Sequence, residues 1–120
     1  MEKSWKVKLF ESKSRKSPVE EFIDLLDAKA RLKITRTIEL LEEFGLEGGY
    51  PNIKKLQGSN LWEYRILGKD NIRIFYITVK EKTFLLLHAF KKKKQKTPRK
   101  EIKIAEYRFK EYLTLTNQGS

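Results

Sequence analysis

The sequence predicts an α+β domain: two N-terminal helices and a C-terminal helix packed on one face of a twisted, mostly antiparallel sheet. Three observations predict it. Apolar residues recur at helical spacing up to Gly45, then switch to strand-like runs between Ile53 and Phe90. Short polar turns separate those runs, as in an antiparallel meander. A cap residue followed by proline, Ser17-Pro18 and again Thr97-Pro98, marks a helix start on either side of the strand block.

Each element has its own reason. Trp5-Lys6-Val7-Lys8-Leu9-Phe10 alternates apolar and basic, which suits a half-buried strand. Ser17-Pro18-Val19-Glu20 combines a cap, a first-turn proline and the acid of a capping box. Phe22, Ile23, Leu25 and Leu26 then fill the buried face of a short helix. Asp27 caps a second helix, whose stripe is Ala30, Ile34, Ile38, Leu41 and Phe44, and Gly45 ends it. Gly48-Gly49-Tyr50-Pro51 is a loop. Strands follow at Ile53-Lys54-Lys55-Leu56, at Leu61 to Leu67, at Ile72 to Val79 and at Thr83 to Phe90. Gly68-Lys69-Asp70-Asn71 and Lys80-Glu81-Lys82 supply the turns. Ile102, Ala105, Phe109, Tyr112 and Leu113 mark the buried stripe of the last helix. The order is β-α-α-β-β-β-β-α, in a single domain over residues 1–115 with a frayed tail at 116–120.

The chain has 120 residues, no cysteine and an apolar fraction of 39%. It is long enough for a core without staples. No run approaches the roughly 18 apolar residues of a spanning helix, and the first five residues lack a signal-peptide hydrophobic region. The expected location is the cytoplasm. The net charge is +11, from 27 Lys+Arg against 16 Asp+Glu, beyond the magnitude of about 2–8 usual for a small domain. That excess points to an anionic partner. It is concentrated between Glu81 and Glu101, where no acid occurs.

Two arginines lie inside strands, Arg65 and Arg73, each with apolar neighbours. A cation so placed is expected on the open face of a one-sided sheet. Strands about 4.8 Å apart would let Arg65, Arg73 and His88 share that face, with Lys54 and Lys55 approaching from the preceding strand. The plain alternative for each arginine is solvation, or pairing with Glu63 across strands. For His88, the only histidine, it is a capped or core residue, and for Lys91, Lys92, Lys93 and Lys94 a solvated connection. Taken together, these groups form a surface that attracts phosphates and holds one side chain able to titrate near neutral pH.

Other chemistries lack their parts. One histidine without cysteine argues against zinc, and no D-x-D pair or glycine-rich phosphate loop occurs. No metal and no cofactor is expected. Cleavage of RNA remains, because the 2′-OH is its own nucleophile. The protein then needs a proton acceptor or donor, and cations around the phosphate.

The motifs K-L-x-G from Lys55, L-W-E-x-R from Leu61, R-x-x-Y from Arg73 and L-H-x-F-x-K-K-x-x-x-T-P from Leu87 resemble the RelE/HigB toxin superfamily, in its phage-derived, HigB-type branch. The resemblance implies a RelE-like fold and a toxin that enters the ribosomal A site and cuts mRNA there. It also implies a helix-turn-helix antitoxin, with operator DNA bound only by the toxin–antitoxin complex, and no membrane. Carried over by position, it makes Arg65 and Arg73 holders of the scissile phosphate, His88 the acid or base, and Lys92 a further catalytic cation. Lys54, Lys55, Lys91 and Lys94 become RNA-binding residues. Glu63 stands where RelE-type relatives carry a basic residue, and their C-terminal tyrosine has no counterpart. ParE-like relatives share the fold but act on DNA gyrase, so a non-enzymatic nucleic-acid or protein binder is the competing reading. A weaker third is a membrane-surface protein held by its lysines.

Overall fold

Two strands in the middle of the chain carry too much apolar surface for a sheet with one wet face. Residues 83–90 are all buried, and the strand Ile72–Val79 is buried from Ile72 through Tyr76. Strands of that composition must be covered on both sides. A computed structural model, which describes residues 4–93, 95–96 and 98–117, shows how this is done.

The elements are β1 (Lys6–Leu9), α1 (Pro18–Asp24), α2 (Ala28–Phe44), a 3-10 helix (Gly45–Gly49), β2 (Ile53–Lys55), β3 (Trp62–Ile66), β4 (Ile72–Val79), β5 (Thr83–Lys91) and α3 (Arg99–Asn117). The five-stranded sheet has the order β1-β5-β4-β3-β2. Strands β2 to β5 form an antiparallel meander, and β1 joins β5 in parallel. The α+β class and the element order are as the sequence predicts.

The helices do not share one face. Val19, Leu26, Ala30, Ile34 and Leu41 of the α1–α2 region pack with Tyr64, Ile66, Ile72, Ile74, Tyr76, Phe84 and Leu86. On the other side Ala105, Ile102, Phe109 and Tyr112 of α3 pack with Phe75, Leu85, Leu87 and Phe90. The expectation of a one-sided sheet is therefore wrong: alternate residues of β4 and β5 are apolar on both sides, and each set needs its own cover.

Local chemistry explains most boundaries. The Asp27 carboxylate accepts a hydrogen bond from the Ala30 amide at 2.9 Å and caps α2. Gly45, at φ 66°, ends that helix against the Trp5 ring, where a Cβ would collide with the indole. Trp5 in turn stacks on Phe84, with ring centroids 4.7 Å apart. The capping box expected at Ser17 does not form: Pro18 begins α1, but the Ser17 hydroxyl makes no cap hydrogen bond and is buried without a partner. The second expected cap, Thr97, lies outside the described residues. The β4–β5 turn places Glu81 and Lys82 at φ 64° and 51°, the pair of left-handed residues that a tight hairpin with matching twist requires.

One irregularity positions the site. Phe75 faces His88 across β4 and β5, while the next residue, Tyr76, faces Leu86. Leu87 is thus an extra residue, a β-bulge. Its effect is to break the alternation of β5. Leu85 and Leu87 face α3, and after the bulge His88 and Phe90 face α3 as well, whereas Ala89 joins Phe84 and Leu86 on the α2 side.

Candidate active site

The α3 side of the sheet carries a lattice of polar and aromatic residues fixed by register. Lys54 pairs with Glu63, Glu63 with Phe75, and Phe75 with His88, in one row across four strands. The adjacent row is Arg65, Arg73 and Phe90. Paired residues point to the same face, so Arg65, Arg73, His88 and Lys54 share one side, as the sequence predicts.

Arg73 is not on an open face, however. It is buried, 8% exposed, and its Nε lies 3.3 Å from Oε2 of Glu63, which is 3% exposed. The alignment is that of an ion pair more than of a hydrogen bond, since Nε has no well-directed acceptor. One terminal nitrogen donates to Oδ1 of Asn71 at 2.8 Å. The physical reason is the cover: Phe75 and Phe90, its neighbours on this face, pack with α3, so Arg73 is shielded from water and takes a carboxylate instead. Arg65, nearer the sheet edge, is exposed.

Lys92 follows directly on β5. Its amide donates to the Asn71 carbonyl at 2.9 Å, and the Asn71 side-chain amide donates back to the Lys92 carbonyl. This clamp holds Lys92 within the field of Glu63, Arg73, Lys54 and Arg65. Partial burial lowers its pKa; Glu63 opposes that shift, and the three neighbouring cations add to it. A shallow polar pocket of about 330 Å³ opens here, lined by Asn71, Arg73, Lys92, Lys93 and Gln95. Four cations around one buried carboxylate leave an excess of positive charge that suits a phosphate group.

Two expected residues lie elsewhere, for a reason the alternation of a strand imposes. Lys55 is adjacent to Lys54 and so faces the other side; its ammonium donates to the Ser59 carbonyl at 2.9 Å. Lys91, adjacent to Lys92, pairs with Ile72 on the α2 side and sits 3.5 Å from Asp70. Lys94 lies outside the described residues.

His88 is enclosed by α3. Its Nε2 is 2.8 Å from Oε1 of Glu101, and its Nδ1 is 3.1 Å from a terminal nitrogen of Arg108, which also donates to the Leu87 carbonyl at 2.9 Å. A guanidinium only donates, so Nδ1 must accept. The proton of a neutral ring then belongs on Nε2, directed at Glu101, as this network assigns it. The ring also stacks on Phe90, with centroids 5.4 Å apart. Burial is the largest effect on its pKa and lowers it below 6.5; the hydrogen bond to Glu101 works the other way.

The sequence reading missed Glu101 and Arg108. They lie four residues before and three after Ala105, which is fully buried, so both fall on the inward stripe of α3. Charged residues on a buried stripe were the signal that could have found them. Among the described residues no group of three or more His, Cys, Asp or Glu side chains converges as a metal site would require.

This network predicts a pH effect. The unfolded chain takes up the His88 proton near 6.5, while the folded chain resists it. Below about 6.5 the unfolded state therefore holds more protons, and stability falls as pH drops through that value toward the lowered folded pKa. Thermal unfolding at pH 7.5 and pH 5 will show a larger loss of Tm for the wild type than for His88→Gln. Equal losses would remove His88 from the account.

A mixed, mostly antiparallel sheet between a helical hairpin and a single C-terminal helix, with a basic cluster on the face that bears a buried histidine, defines a small α+β domain with a cationic site. The chain belongs to the family described as phage derived protein Gp49-like, whose model matches residues 21–110, from α1 through most of α3. That family is one of RelE/HigB-like toxins. No curated protein matches the chain. Among the described residues no helix is long and apolar enough to cross a membrane.

Proposed function

We propose that this protein is the HigB-type toxin of a toxin–antitoxin pair and an endoribonuclease that cuts mRNA in the ribosomal A site. The observation that carries the reading is the convergence of Arg65, Arg73, Lys54 and Lys92 on the sheet face that also bears His88. In the reaction the 2′-oxygen of the RNA bonds to the adjacent phosphorus as the bond to the 5′-oxygen breaks. The 2′-OH gives up its proton, the 5′-oxygen gains one, and a cyclic phosphate is left. Arg65 and Arg73 offset the charge that builds on the phosphate oxygens. Lys92 adds a cation whose proton burial has loosened. Lys54 steers the strand, and Lys55, Lys91 and Lys94 contribute to long-range attraction. His88 transfers a proton once the first turn of α3 releases Nε2 from Glu101. A helix-turn-helix antitoxin covers the toxin when it is silent, and only that complex binds operator DNA.

The enclosure of His88, with both nitrogens held, favours a second reading. In it the domain binds nucleic acid or a protein such as gyrase without cleavage, and His88 fastens α3. Cleavage of an mRNA programmed on ribosomes separates the two. The wild type will cut, and Arg65→Ala will cut about 10²–10³-fold more slowly, as expected for loss of one charge-stabilising donor. Its Tm will stay unchanged, because Arg65 is exposed. Binding without cleavage by the wild type would install the second reading.

A further inference from the structure

The outer side of α2 is arranged against the helix's own interest. Its first nine residues hold Lys29, Arg31, Lys33 and Arg36, and the remainder with the following 3-10 helix holds Glu39, Glu42, Glu43 and Glu47. The first turn has no acid and the last no base. Apart from the Asp27 cap, the charges within both end turns thus oppose the helix dipole. Lys29 and Lys33, and again Glu39 and Glu43, are like-charged neighbours four residues apart, which costs further stability in an isolated helix. On a chain of net charge +11, the segment 28–47 is neutral, four cations against four acids, with the signs separated along its length.

An apolar ridge runs through this pattern. Leu32, Leu40 and Phe44, spaced in multiples of four, are 50%, 43% and 51% exposed, with Arg36 between them. Such a row is the ridge by which helices interlock. Separated charges along a ridge are complementary to the same ridge reversed. An antiparallel copy centred near Ile38 sets Leu32 against Phe44, and Arg36 beside Leu40 with Glu43 of the second copy within a turn. A twofold axis makes each contact occur twice.

We propose that α2 is a dimerisation surface, and that a second copy of this chain is its occupant. The complementary charges and the exposed apolar ridge carry the inference, and it does not depend on the ribonuclease reading. One ridge buries less than a standard interface, so the dimer is weak and concentration-dependent. The Arg65, Arg73 and Lys92 cluster lies on the opposite side of the sheet from α2, so it stays open in both copies.

Sedimentation equilibrium of the full chain, at about 0.15 M salt to limit repulsion between the +11 protomers, tests this. From about 10 to 500 μM the mass will rise from 14.3 kDa toward twice that value. Arg36→Glu and Glu43→Arg will each raise the dissociation constant roughly tenfold or more by opposing like charges, and the double variant will recover most of the loss. Leu40→Glu, at a partly exposed position, will hold the chain monomeric with its circular dichroism unchanged. A wild type that remains at 14.3 kDa throughout overturns the proposal and leaves the ridge to a different partner. So does a double variant no better than the singles.

Discussion

Arg73→Ala will destabilise the fold by about 3–5 kcal/mol, the range found when one member of a buried ion pair is removed. The cause is Glu63. Its carboxylate is 3% exposed and lies 3.3 Å from the arginine Nε, and truncation strips a buried charge of that cation. The loss of the arginine bond to Asn71 adds to the effect and loosens the clamp that holds Lys92. Urea unfolding monitored by tryptophan fluorescence measures the change. Glu63→Gln in the same chain will restore much of the stability, because no buried charge is then left over. It will not restore cleavage. A loss under about 1 kcal/mol for Arg73→Ala would mean that water reaches Glu63 and that the pair is effectively a surface one.

The second large effect is expected at His88. His88→Ala will slow ribosome-programmed cleavage by about 10²–10⁴-fold, the size of an acid or base contribution. Glu101 and Arg108, left facing each other, can pair directly, so the substitution need not unseat α3. The companion variant is Glu101→Gln, which keeps the shape and removes the charge. If His88 transfers a proton, Glu101→Gln will shift the pH profile of cleavage, since the carboxylate no longer favours the protonated ring. If His88 only fastens the helix, both variants will lower Tm and leave the rate of the folded protein unchanged.

Much of the fold was legible because its signals are local. Asp27, Gly45, the turn residues after Ile66 and Val79, and the apolar run of β5 each act on the backbone within a few residues. The face assignment was not local. Nothing in Ile102, Ala105 and Phe109 says which side of the sheet they meet; the answer lies in Phe75, Leu85 and Leu87, which need a cover that α1 and α2 cannot reach. The candidate site shows the same division. That Lys54 and Lys55, or Lys91 and Lys92, must part company follows from the strand period alone and could have been read in advance. The burial of Arg73 and the grip of Glu101 and Arg108 on His88 could not, because they depend on where α3 returns.

The bulge at Leu87 has a consequence for how such a site is inherited. It makes the layer that holds the imidazole depend on whether the strand bulges, and not on the residues alone. Without the bulge, the same residues in strict alternation would put His88 beside Leu86 on the α2 side. A chain one residue shorter between Leu86 and His88 needs no bulge to keep its histidine opposite Phe75. A relative that drops that residue therefore keeps the layer, and one that keeps the residue but straightens the strand loses it. Identity at the functional positions does not distinguish the two.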